Sequence, residues 1–271
     1  MAWSNKRIFV VVLLLVFLLN SLLLVGFLLL RHRLARPTGS DGGLIAYEPF
    51  DYPVNTALTG QGGGGGFGGA WEPGGFNARN SDVFTMQPGA LSFSNLAVSG
   101  ANHLSIAAPA EGDSAICGVG RSLSADLAVP GNVYYLSFLY RPDGLGGYGS
   151  VVVGSGQGRE LSIGRSSSSP QFHISQRGGT GRVYSDQEAT VGQTVFIVVK
   201  MEFMEGPDRF TLYLNPSPGQ PEPAEGMAKQ DLDLTEAPRL FLYSRSAWSV
   251  DEIRLGKTWA EVTPAQKPGA R

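Results

Sequence analysis

The chain is poor in the residues that most often carry chemistry: one cysteine and three histidines among 271 residues, and only 16% charged side chains. With Cys117 alone no intrachain disulfide forms, and its apolar ICGV setting reads as that of a small core residue rather than a nucleophile. His32 lies in a basic collar, which leaves His103 and His173; two distant histidines and one cysteine have no zinc-ligand spacing. The neighbours of His173 in QFHIS make it a partly buried structural residue. A basic stripe interleaved with aromatics is also missing, and the net charge is -2, so a nucleic-acid binder is excluded. There is no Asn-x-Ser/Thr acceptor for glycosylation and no Gly-x-Ser-x-Gly elbow of an α/β-hydrolase.

Long apolar runs are absent too, with one exception. Ile8 to Leu30, IFVVVLLLVFLLNSLLLVGFLLL, contains no charge and lies between Lys6-Arg7 and Arg31-His32-Arg33. As a helix rising about 1.5 Å per residue it would cross a hydrocarbon core of roughly 30 Å. It is longer than a cleaved signal peptide's apolar stretch and ends in RHRLARP rather than small residues, so it is predicted to be an uncleaved signal anchor in the lipid bilayer. The division that follows is a tail 1–7, a transmembrane helix 8–30, a basic collar and linker 31–43, a folded domain 44–264 and a frayed terminus 265–271. Positive charge is close to balanced across the run. The content of the domain, not charge, sets the expected orientation, with the domain periplasmic or extracellular.

Within the domain no stretch holds a long helical period. Val133–Tyr140 is apolar on both parities, as expected of a strand covered on both faces. Thr194–Phe203 starts in the same way, and Arg209–Asn215 alternates with Phe210, Leu212 and Leu214 on one face. Further short strands are predicted at Leu91–Phe93, Leu104–Ala107, Ser150–Val153, Glu160–Ile163, Gln171–Ser175, Arg239–Tyr243 and Val250–Leu255. Many short strands separated by Gly, Pro, Asn and Asp predict an all-β, two-sheet antiparallel sandwich. The run Gly62–Gly69, GGGGGFGG, has almost no side chains to pack and reads as a mobile surface loop.

Several segments together resemble the concanavalin A-like, laminin G-like jelly-roll superfamily of bacterial envelope proteins. They are Tyr47-Glu48-Pro49-Phe50-Asp51-Tyr52-Pro53 with Gly60 and the glycines up to Trp71, and YYLSFLYRPDG at Tyr134–Gly144. VKMEF with DRFTLYLNP and the closing Val250-Asp251-Glu252-Ile253-Arg254-Leu255-Gly256 before Thr258-Trp259 complete them. The resemblance implies a jelly roll of two curved antiparallel sheets and, in many members, sugar or protein binding on the concave face or at loop ends. It does not transfer a function. Trp259 is expected as a wedge packing the C-terminus on the sandwich, whereas Trp71, Trp248 and Tyr148 fall in loop or strand-end contexts that suit either stacking on a sugar ring or packing in the core or rim.

The glucanases of that superfamily carry Glu-x-Asp-x-x-Glu, two carboxylates on one strand face for double displacement. That spacing is absent. Asp231 and Asp233 share a parity but fall in a Pro-rich segment that reads as a solvated turn. The chain is therefore expected to be a non-enzyme, a membrane-anchored module that contacts carbohydrate or protein of the envelope. The alternatives are a divergent glycoside hydrolase-like enzyme, or a single-span assembly or signalling protein working through a membrane partner.

Two acids remain. Asp251 shares parity with Ile253 and Leu255, and Glu48 with Ala46 and Phe50, so both point inward on first and last strands that jelly rolls commonly pair. Buried charges need compensation. A structural Ca2+ held by Glu48 and Asp251 would supply it; so would Arg254 or Arg239, or exposure at the strand end. No other cofactor is implied.

Overall fold

The computed structural model describes residues 43–75, 78–110 and 116–267. The tail, the apolar run 8–30 and the collar through residue 42 lie outside the described residues. Among the described residues no helix is long and apolar enough to cross a membrane.

Among the described residues sixteen strands and one short helix make up the domain. In chain order they are β1 Ala46–Glu48, β2 Glu72–Pro73, β3 Ala78–Asn80, β4 Phe84–Pro88, β5 Asn102–Ile106, β6 Ile116–Ser122, β7 Val133–Pro142 and β8 Gly149–Gly154. There follow β9 Leu161–Arg165, β10 Gln171–Gln176, β11 Val183–Glu188, β12 Val195–Glu202, β13 Asp208–Leu214, β14 Met227–Leu232, β15 Arg239–Ser244 and β16 Trp248–Gly256. The helix, α1, is Trp259–Val262.

The first sheet runs β14-β13-β12-β7-β16-β5-β4, with β1 paired to β16; the second runs β11-β10-β9-β8-β15-β6-β2, with β3 beside β6. All pairings are antiparallel except β3 with β6. This is the expected two-sheet antiparallel sandwich, and β7, apolar on both parities, sits in the middle of the first sheet.

Alternation assigns the faces. Val151 and Val153 of β8, Leu161 and Ile163 of β9, Phe172 and Ile174 of β10, and Leu240 and Leu242 of β15 point into the core between the sheets. There they meet Leu136, Phe138 and Tyr140 of β7 and Ile197 and Val199 of β12. The outer face of the first sheet is closed by a second apolar cluster in which Trp259 and Val262 of α1 join Leu91, Leu96, Leu139 and Phe196. Trp259 meets Tyr135 and Tyr213 edge-on, at 6.1 and 5.1 Å between ring centroids, which is the wedge expected of it. The chain stays attached beyond residue 264: Ala265 bridges to Leu96, and the Gln266 N–H donates to the Asn95 carbonyl at 2.7 Å.

Two expectations are corrected. The glycine run is not a detached loop. Gly65 exchanges both backbone hydrogen bonds with Tyr47, at 2.9 Å each, so the run lies directly on β1. Close approach of two backbones requires residues without side chains, and a Cβ on Gly66 would sit 1.8 Å from the Ile45 carbonyl oxygen. Asp231 is also not in a turn; it lies in β14 with Lys229 Nζ at 2.5 Å, although its side chain remains solvated.

Candidate functional site

Among the described residues no such layer covers the outer face of the second sheet, and its shape follows from strand register. Across six neighbouring strands one row reads Tyr184, His173, Gly164, Ser150, Tyr243 and Gly118. The row beside it reads Ser175, Ser162, Val152, Phe241 and Gly120. Large side chains at the flanks and small ones between them leave a hollow. Gly164 keeps its floor low: its φ is +150°, and a Cβ there would meet the Gly149 carbonyl oxygen at 2.2 Å, so only glycine fits.

The resulting cavity has a volume of about 370 Å³, within the range of small-molecule sites. Its floor is Ser150, Val152, Ser162 and Ser175, and Tyr148, His173 and Tyr243 form its walls. Arg177 and Arg182, from the hairpin joining β10 to β11, stand at the rim. Tyr148 and Ser167 also line a second hollow, with Arg245, Ser246 and Ala247, so the half-buried ring of Tyr148 is common to both.

The electrostatics of the cavity are those of a cationic rim over neutral walls. Among the described residues Arg177 and Arg182 are the only charged ones of its lining, with no Asp or Glu beside them. The Arg177 guanidinium lies 4.2 Å from the centre of the Tyr243 ring, and its Nε is 3.6 Å from the buried Glu160 carboxylate. Arg182 donates from Nη1 to Ser168 Oγ at 2.9 Å, while its buried Nε has no hydrogen-bond partner. His173 is 4% exposed with its Nδ1 unpartnered. Burial pulls its pKa down to about 4, helped by repulsion from Arg182, so the imidazole is neutral at physiological pH. Opposite it, the Tyr184 hydroxyl is shifted down by its hydrogen bond with Ser168.

Glu48 and Asp251 lie elsewhere and do not meet, which corrects the pairing expected of them. Glu48 opposes Ile253, on the core side of the first sheet; Asp251 opposes Leu139, on the outer side. The β-bulge between Asp251 and Arg254 reverses the parity on which the pairing rested. Glu48 accepts hydrogen bonds from Phe50 N at 3.0 Å, Tyr52 Oη at 2.8 Å, Trp71 Nε1 at 2.9 Å and Arg121 Nη1 at 2.7 Å. Burial pushes its pKa up, and those four donors oppose the shift.

Asp251 accepts from Leu91 N at 2.9 Å and Glu252 N at 2.8 Å, and burial holds its pKa well above the usual carboxylate range. Glu252, with φ of +54°, takes the Ser99 and Tyr47 donors and pairs with Arg254. Among the described residues no group of three or more His, Cys, Asp or Glu side chains is placed to hold a metal ion. Of the three aromatics open to sugar stacking or core packing, Trp71 and Trp248 are fully buried in the core, the latter stacked on Tyr140 at 4.7 Å, and Tyr148 alone reaches the cavity.

No protein-family model matches the chain, and no curated protein matches it in sequence. Solved structures are similar to it at low identity. Domain 4 of AbnA, a GH43 extracellular arabinanase from Geobacillus stearothermophilus, in complex with arabinotriose, is 15% identical, over 81% of this chain and 96% of that one, with a TM-score of 0.48. An endo-1,3-beta-glucanase from Streptomyces sioyaensis is 8% identical over 81% and 98%, also at 0.48. The endo-beta-1,4-glucuronan lyase of the fungus Trichoderma reesei is 13% identical over 73% and 98%, at 0.45.

The expectation of a non-enzyme is corrected: it rested on one missing motif, and the similar structures just named include a lyase and a glucanase. The physical reason is that a missing Glu-x-Asp-x-x-Glu removes one hydrolytic mechanism, not every reaction on a sugar.

Proposed function

We propose that this domain acts on a carbohydrate held across the outer face of the second sheet. The supporting observation is Tyr148, a half-buried ring common to two adjoining hollows beside a floor of serine hydroxyls. A sugar presents C–H faces that pack on an aromatic ring and hydroxyls that exchange hydrogen bonds with Ser150, Ser162 and Ser175. Two hollows meeting at one ring suit a chain of sugars better than a single one.

Among the described residues the lining offers no carboxylate pair for double displacement. The proton-carrying groups it does offer are the neutral imidazole of His173 and the phenols of Tyr148 and Tyr243. Chemistry carried by these residues runs through imidazole and phenol.

The uncharged run 8–30 supports a second part of the reading: a bilayer anchor, with the domain working outside the cytoplasm on envelope glycan. The test uses the full-length chain, in a detergent without a sugar headgroup, against a panel of polysaccharides, reading both calorimetric binding and released ends. Saturable binding weakened about tenfold by Tyr148→Ala, roughly the energy of one lost stacking contact, supports the reading. Binding untouched by that substitution, or neither binding nor turnover, overturns it.

A further inference from the structure

The charge of the cavity narrows the class of sugar. A site for a neutral glycan commonly sets acceptors and donors against hydroxyls, yet among the described residues the charged ones lining this cavity are Arg177 and Arg182 alone. Glu160, an acid paired with the rim, is fully buried beneath Arg177, with one oxygen accepting the Gly158 N–H at 2.9 Å and the other facing Arg177 Nε at 3.6 Å. It offsets part of the Arg177 charge and leaves that of Arg182 uncompensated within the lining. Asp231, nearest the other side of the hairpin, is engaged by Lys229, which also donates to the Gly181 carbonyl at 2.7 Å.

Two buried polar atoms in the lining lack partners, Nε of Arg182 and Nδ1 of His173. A buried donor without an acceptor is costly, and a charged acceptor is the group that best satisfies a guanidinium. We infer that the cavity takes an acidic sugar whose anionic group is received by Arg182, with His173 as a neutral hydrogen-bonding partner beside it. The planar guanidinium fork fits a carboxylate or a sulfate; both are anionic oxygens on a sugar ring. This inference rests on the carbohydrate reading above and specifies its ligand.

The experiment compares three probes on the full-length chain: an oligoglucuronate, the same oligomer with its carboxyl groups reduced to alcohols, and a sulfated neutral oligosaccharide. The expected result is binding of an anionic probe at least about tenfold tighter than the reduced one, as for a hydrogen bond to a charged group. That preference should shrink with added salt, disappear in Arg182→Gln and persist in part in Arg182→Lys, with all three proteins melting alike. The tighter of the two anionic probes identifies carboxylate or sulfate. Equal affinity for the reduced oligomer, still dependent on Tyr148, overturns the acidic ligand and leaves the carbohydrate reading standing. Binding of none of the probes or of the neutral panel removes both, and an anionic preference that survives Arg182→Gln overturns the assignment to this cavity.

Discussion

The guanidinium of Arg177 rests on the ring of Tyr243, 4.2 Å from its centre. Tyr243 is 1% exposed and is fixed in register between Ser150 and Gly118, so the flexible hairpin side chain gains a rigid platform. A cation over an aromatic face is worth about 1 kcal/mol or more when water is excluded. Strand register thereby reaches the cavity rim, because the row that leaves space at Gly164 also places the ring that holds the cation above it.

His173 should remain neutral across the physiological range. Its folded pKa of about 4 lies below the usual value of 6.5, so the unfolded chain binds its proton first as the pH falls. The stability linked to this residue is present in full above pH 6.5 and is lost between there and pH 4. Proton NMR of the imidazole checks it: the His173 signals should not move between pH 8 and 5.5, and a midpoint near 6.5 would show a solvated ring.

Glu48 should be required for folding rather than for chemistry. Glu48→Ala leaves Arg121, 3% exposed, without its carboxylate and strips the Tyr52 and Trp71 donors of their acceptor. Breaking one side of a buried pair costs about 3–5 kcal/mol. Urea denaturation should show a loss of that size; a loss under about 1 kcal/mol would mean that the network relaxes to water.

Adjacent glycines of the Gly62–Gly69 run should differ. Gly66 has φ of +79° and no room for a Cβ, while Gly65 has open space around its own. Gly66→Ala should lower stability by about 1–3 kcal/mol and Gly65→Ala by little. Thermal melts of the two variants side by side test this, and equal melting points would return the run to a free loop.

The sandwich was legible in sequence where strands are apolar on one or both parities. Val133–Pro142, Val195–Glu202 and Asp208–Leu214 lie where VYYLSFLY, TVFIVVKMEF and RFTLYLN predict them. Strands with little apolar signal escaped: Ile116–Ser122 is interrupted by glycines, Val183–Glu188 is a polar edge strand, and Met227–Leu232 follows a Pro-rich stretch. The glycine run misled because composition reports freedom, whereas backbone pairing with Tyr47 uses the missing side chains for close approach.

Tyr148 was singled out in sequence, but its companions were not. His173, Arg177 and Arg182 come from the β10–β11 hairpin and Tyr243 from the distant strand β15, and only the order β10-β9-β8-β15 brings them to one cavity. Alternation within QFHIS and RLFLYS does place His173 and Tyr243 opposite the apolar parity, the one local sign that both face outward. Glu48 and Asp251 were legible as buried acids but not as separate ones, because the bulge at Asp251 has no sequence signature.

The most direct test of where this protein meets its ligand is an NMR titration of the full-length chain with the tightest-binding oligosaccharide. The account predicts that amide shifts concentrate at Ser150, Ser162, His173 and Ser175 and follow Tyr148 into the neighbouring hollow. Shifts confined to the opposite sheet, around Lys200, Arg209 and Glu222, would contradict it and move the site to the other face of the sandwich.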